Sequence, residues 1–140
     1  MLNKPKIIEG GIAIDDRGSV RFVNNFTFDN VKRFYTIQNH KVGFIRAWHG
    51  HQREGKFLFV AKGSALVGTV DISTEAVEKF VLSEEKPQIL WIPPNHYNGF
   101  MTLREDTILF VFSTSTLEES IGDDIRQPYD KWNIWKVEQR

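Results

Sequence analysis

Apolar and polar residues alternate along this chain in short runs, and turn-forming residues punctuate the runs at regular intervals. Side chains of an extended strand point alternately to its two faces, so alternation with period 2 predicts strands. Segments 33–38, 42–51, 56–62, 64–72, 77–82, 88–92, 97–103 and 107–114 each read this way. Between them stand Asn39-His40-Lys41, Gln52 to Gly55, Gly63, Ser83 to Pro87, Pro93-Pro94 and Arg104 to Asp106. These are rich in the residues that favour turns. A further strand is predicted over 20–28, after a turn at 15–19. Upstream, Ile7, Ile8, Ile12 and Ile14 are interrupted by Gly10-Gly11, which predicts an arm or edge strand. Strands at intervals of roughly 8–12 residues are the signature of a sandwich, jelly roll or small barrel. Helical candidates are confined to two short stretches, 73–79 and 116–121.

A length of 140 residues allows one domain with a substantial core. Residues 1–30 read as an arm with edge strands, 31–114 as the β core and 115–140 as a tail. With 11 Phe, 4 Trp and 3 Tyr, aromatic content strengthens the all-β expectation. Tyr129, Trp132 and Trp135 in the tail are expected to pack on the barrel or on a neighbouring subunit. Acidic and basic side chains balance at 18 each, which argues against nucleic-acid binding by bulk charge. There is no cysteine, hence no disulfide, thiolate metal site or cysteine nucleophile. No apolar run approaches the roughly 18 residues that span a bilayer, and the first residues do not read as a signal peptide. A cytoplasmic location is the expectation.

The stretch from Gly43 to Gly63 carries the densest chemistry. His49 and His51 are one residue apart, so a regular strand puts both imidazoles on one face. Such a pair serves either a metal or acid–base catalysis. Arg46 lies three residues before His49, which sends it to the opposite face unless a bulge or strand end intervenes. Phe57, Phe59, Ile108, Phe110 and Phe112 read as core, His40 as turn surface and His96 as a solvated loop residue.

Several segments together resemble the nucleotide-sugar branch of the cupin superfamily. Arg46-Ala-Trp-His49 resembles the Arg-Gly-Leu-His of the dTDP-4-dehydrorhamnose 3,5-epimerases. Ile92-Pro-Pro-Asn-His-Tyr-Asn-Gly-Phe100 resembles their Ile-Pro-x-Gly-x-x-His-Gly-Phe. Asp16-Arg17-Gly18 and Gln38-Asn39 match more loosely. Lys32-Arg33-Phe34-Tyr35, the His49-Gly50-His51 pair and Asp124-Ile125-Arg126 are closer to the dTDP-4-keto-6-deoxyhexose 3,4-ketoisomerases. The resemblance implies a cupin jelly roll, a homodimer, a nucleotide-diphosphate-sugar substrate, and neither nucleic-acid nor membrane partners.

It also resolves the metal question. The general cupin metal pattern has a carboxylate where this chain has Lys56 and a final histidine where it has Asn98. A cation beside two imidazoles repels a divalent ion, and Asn is a weak substitute for His. Glu54 is out of register with the pattern. The reading is therefore acid–base, with neither metal nor organic cofactor.

In the reaction that the family implies, a base removes the proton at C3, next to the C4 ketone of a 4-keto-6-deoxy sugar. His49 is the expected base, since an imidazole near pKa 6.5 suits the task. Lys56 is expected to stabilise the enolate, with His51 and Tyr35 as further acid–base groups. Arg17 and Arg46 are candidates for the pyrophosphate, whose oxygens a guanidinium matches. Gln38, Asn39, Trp48 and Asn98 complete the expected substrate contacts. The epimerases' tyrosine near the end of the last strand is missing from segment 110–116, leaving Tyr35 or Tyr97 as substitutes. Epimerisation is narrowly favoured over 3,4-ketoisomerisation, and a non-catalytic sugar-nucleotide-binding cupin is the alternative from another class.

Overall fold

The computed structural model describes residues 3–140. One five-stranded antiparallel sheet contains β1 (Lys6–Glu9), β4 (Arg33–Ile37), β6 (Lys56–Lys62), β9 (Gln88–Ile92) and β11 (Ile108–Ser113), in the order β1-β9-β6-β11-β4. The second contains β5 (Ile45–His51), β7 (Ser64–Asp71), β8 (Val77–Ser83), β10 (His96–Thr102) and the short β12 (Ile125–Arg126), in the order β12-β5-β10-β7-β8. A separate hairpin pairs β2 (Gly11–Asp15) with β3 (Gly18–Phe22). The expected jelly-roll class is the one found.

The two sheets enclose Leu58, Val60, Val67, Leu82, Leu90, Ile92, Phe100, Leu109 and Val111. Strand phase explains this selection. In β6, Lys56, Leu58 and Val60 point between the sheets, while Phe57 and Phe59 point outward. In β11, Leu109 and Val111 point in, so Ile108, Phe110 and Phe112 occupy the outer face. This corrects the expectation of a fully interior aromatic set. Phe57, Ile89 and Trp91 gain cover from Val23, Phe26 and Val31 on that outer side. Segment 23–28 therefore acts as packing material, and β3 ends at Phe22 instead of running to Phe28.

The outer face of the second sheet is covered by the tail. Trp132 meets Trp48 edge-on at 5.7 Å, and Trp135 lies 5.1 Å from the same ring. Of the two helical candidates, only 116–121 forms one, α1 (Leu117–Ile121). Thr116 and Glu119 close a reciprocal capping box at its start. The stretch 73–79 instead turns into β8, because the Asp71 carboxylate accepts from the Ser73 and Thr74 amides and fixes a turn.

One irregularity matters for the site. Along β10, Asn98 pairs with His49, and two residues later Phe100 pairs with Arg46. Ala47 and Trp48 thus stand opposite Gly99 alone, which is a β-bulge in β5. The Ala47–Trp48 peptide is cis. A Cβ on Gly99 would fall 2.5 Å from Ala47 Cβ and 3.0 Å from the Arg46 carbonyl, so glycine permits this close approach. The extra residue returns Arg46 to the His49 face.

Candidate active site

The sandwich opens at one end into a cavity of about 280 Å³. The second sheet contributes Arg46, His49 and His51 from β5, and Asn98 and Phe100 from β10. From the facing sheet come Arg33, Tyr35 and Ile37 of β4, Lys56 and Leu58 of β6, and Leu109 and Val111 of β11. Ser120, Ile121, Asp124 and Arg126 form part of its rim. The predicted group His49, His51, Lys56, Tyr35, Arg46 and Asn98 therefore meets in one space, approached from two walls.

His51 is the most tightly oriented of these groups. Its Nδ1 lies 2.7 Å from the Asp123 carbonyl oxygen. A carbonyl only accepts, so Nδ1 carries the proton and Nε2 keeps its lone pair. Asp123 also anchors the surrounding turn: its carboxylate accepts from the amides of Gln52, Arg53 and Glu54 at 2.8, 2.9 and 2.9 Å. Burial opposes its ionisation, but these three amide bonds outweigh burial and hold the carboxyl below its ordinary pKa. His49 sits beside Asn98, whose side-chain amide donates to the His49 carbonyl at 3.3 Å.

Both imidazoles have lowered pKa values. For His49 the causes are burial, then the charges of Arg126 and Lys56; for His51, burial and then Lys56. The rings are accordingly biased toward the neutral, proton-accepting form. Lys56 is buried, which also lowers its pKa, with the Glu54 charge opposing the shift. Tyr35 is pushed up to about 12 by burial and by the Glu54 charge, so it remains a proton donor across the neutral range. Arg33 lies over its ring at 5.0 Å from the centroid.

Other sequence candidates fall elsewhere. Trp48 is wholly buried on the opposite face of β5 beneath the tail, as alternation from the adjacent His49 requires; it does not face the cavity. Arg17 lies in the β2–β3 turn with 85% of its side chain exposed, paired with Asp15 and outside the cavity lining. Gln38 is exposed beyond the end of β4 and does not line the cavity either. Asn39 acts indirectly: its Oδ1 accepts from Arg46 Nε at 2.6 Å and its Nδ2 donates to the Phe44 carbonyl at 3.2 Å, which fixes Arg46 at the rim. His96 is buried, with Nδ1 donating to the Pro94 carbonyl at 3.0 Å, contrary to the expectation of a solvated loop residue. Sequence reasoning missed Arg33, Asp123 and the Glu54 carboxylate. The signals available were Arg33 two residues from Tyr35 in one strand, and Asp123 beside the noted Asp124-Ile125-Arg126.

The donor set does not suit the metal of other cupins. Lys56 and Asn98 occupy two ligand positions of that pattern. Among the described residues, no group of three or more His, Cys, Asp or Glu is placed to hold an ion. The arrangement instead offers two neutral imidazoles, a lysine and a protonated phenol around one space.

The sequence matches the family described as FdtA: WxcM-like, C-terminal, over residues 3–134. The chain belongs to the WxcM-like family. This WxcM-like chain is 27% identical over 107 residues to the spore coat polysaccharide biosynthesis protein SpsL of Bacillus subtilis, covering 70% of this chain and 71% of that protein. The crystal structure of dTDP-4-dehydrorhamnose 3,5-epimerase from Sulfolobus tokodaii superposes with a TM-score of 0.76 at 27% identity, covering 93% of this chain and 81% of that one. The WlaRB TDP-quinovose 3,4-ketoisomerase of Campylobacter jejuni shares the fold at a TM-score of 0.70 and 23% identity, covering 90% and 95% respectively. The WxcM-like fold thus has both epimerases and ketoisomerases among its solved neighbours.

Proposed function

We propose that this chain is an epimerase of a nucleotide-linked 4-keto-6-deoxy sugar in surface-polysaccharide synthesis. The observation that carries the reading is the placement of proton-transfer groups on two facing walls: His49 and His51 on one, Tyr35 and Lys56 on the other. In this scheme His49 takes the C3 proton and the electron pair spreads onto the C4 ketone oxygen. Lys56, itself buried in the cavity wall, stabilises the resulting oxyanion. Tyr35 then returns a proton from the facing wall, which inverts C3. The guanidiniums of Arg46 and Arg126 at the rim suit the diphosphate. Resemblance to polysaccharide-synthesis proteins and epimerases supports the same reading.

One observation favours a second reaction. Because His51 shares a wall with His49, a proton taken from C3 could be returned to C4 from the same side, which is 3,4-ketoisomerisation. Incubation in deuterated water with a panel of nucleotide-4-keto sugars, followed by NMR, separates these outcomes. Deuterium at C3 with inverted configuration is expected; a 3-keto product assigns the ketoisomerase instead. Absence of exchange with every sugar, from protein that still binds nucleotide, refutes both.

The active form in this proposal is a cytoplasmic homodimer. Phe34 is 64% exposed on the β4 edge and stacks on Phe110, while Ile14 and Val20 of the hairpin are 77% and 64% exposed. Such apolar surface is suited to an interface between copies. A monomer mass by light scattering would overturn it.

A further inference from the structure

We infer that Glu54 is a positioning residue whose carboxylate lets His51 carry a proton during turnover. The inference rests on the acid–base reading of the cavity. Glu54 follows the β5 strand in the turn that Asp123 anchors, and its side chain has no solvent exposure. Its Oε2 accepts a 2.7 Å hydrogen bond from Ser113 Oγ and lies 3.5 Å from Arg33. Its Oε1 is buried and has no hydrogen-bond partner among the described residues. That oxygen lies 3.6 Å from His51 Nδ1.

Leaving a buried acceptor unpaired is costly, so such an atom calls for an explanation. The geometry supplies one. In the resting ring, Nδ1–H is directed to the Asp123 carbonyl and the ring is neutral, so Oε1 faces an uncharged imidazole while Arg33 and Lys56 act on the same carboxylate. When Nε2 takes up the proton that it then delivers to C4 in the same-wall route, His51 becomes an imidazolium. Its positive charge then stands beside Oε1. Returning the proton from Nε2 to the sugar restores both groups. The Lys56 charge opposes a proton on His51, while Glu54, 3.6 Å away, and to a lesser extent Asp123 favour it. Asp123 contributes its carbonyl to the ring and commits its carboxylate to the three amides.

The test follows His51 by imidazole ¹⁵N NMR between about pH 5 and pH 8, the span in which histidine titrates. The parent protein should show the Nδ1–H tautomer at the alkaline end. Glu54→Gln keeps the Ser113 contact but removes the charge, and should move the His51 titration to lower pH. Glu54→Asp, which keeps the charge, should titrate close to the parent. With substrate, Glu54→Gln should lower kcat about 10- to 100-fold, the scale of a partner acting through another group, with KM nearly unchanged. An Nε2–H tautomer in the parent overturns the inference without any variant, and so does a titration that Glu54→Gln leaves in place. The NMR arm needs no sugar, so it judges Glu54 even if no substrate turns over.

Discussion

At the scale of single residues, His49 carries the heaviest assignment. His49→Ala should cut deuterium exchange at C3 by about 10²- to 10⁴-fold, the usual worth of a placed general base. Exchange at the parent rate would remove His49 from the mechanism. The lowered pKa of both imidazoles also sets a pH signature. A base works while neutral, so the acid limb of kcat/KM should lie below the ordinary imidazole value of about 6.5. In the unfolded chain the same histidines take protons near 6.5, earlier than in the folded chain. Stability should therefore decline as pH falls from that value toward the lower folded pKa, visible as a falling Tm. His49, His51, Lys56 and Asn98 were legible because register along a strand is countable from sequence. Trp48, next to His49, was equally countable to the opposite wall; Arg46 was not, since one inserted residue reverses its face, and Glu54 was set aside because burial in a turn has no periodic signature.

Elements decide where these residues point. Most strand boundaries followed from alternation and turn chemistry, with β6 and β9 matching their predicted limits. Alternation did not reveal which phase faced inward in β11, where both phases are apolar. The bulge likewise has no local code, since it arises from how Gly99 lets β10 approach β5. Asp123 joins the β5–β6 turn to the segment before β12 by side-chain bonds to three consecutive amides. Asp123→Ala would leave these donors short of partners, with an expected stability loss of about 1–3 kcal/mol. It should also loosen His51, so denaturant unfolding and activity ought to fall together. Full activity alongside reduced stability would show that the turn does not position the ring.

Across the whole molecule, two sheets supply a core and leave one end of the sandwich open to chemistry, while the tail and segment 23–31 cover the outer faces. That distribution was legible only as a class, because an aromatic residue in a strand serves an inner or an outer layer equally well. The seat of Lys56 has a wider consequence. It and Asn98 occupy places where related scaffolds coordinate ions, and His49 and His51 already share their cavity. Two exchanges, Lys56→Glu and Asn98→His, should therefore create a four-ligand centre that takes up zinc or manganese in calorimetry, where the parent takes up neither. Metal binding by the parent, or none by the double variant, would contradict that geometry. Proton shuttling and transition-ion chemistry would then be neighbouring trades on a single scaffold, separated by two codons rather than by a change of architecture.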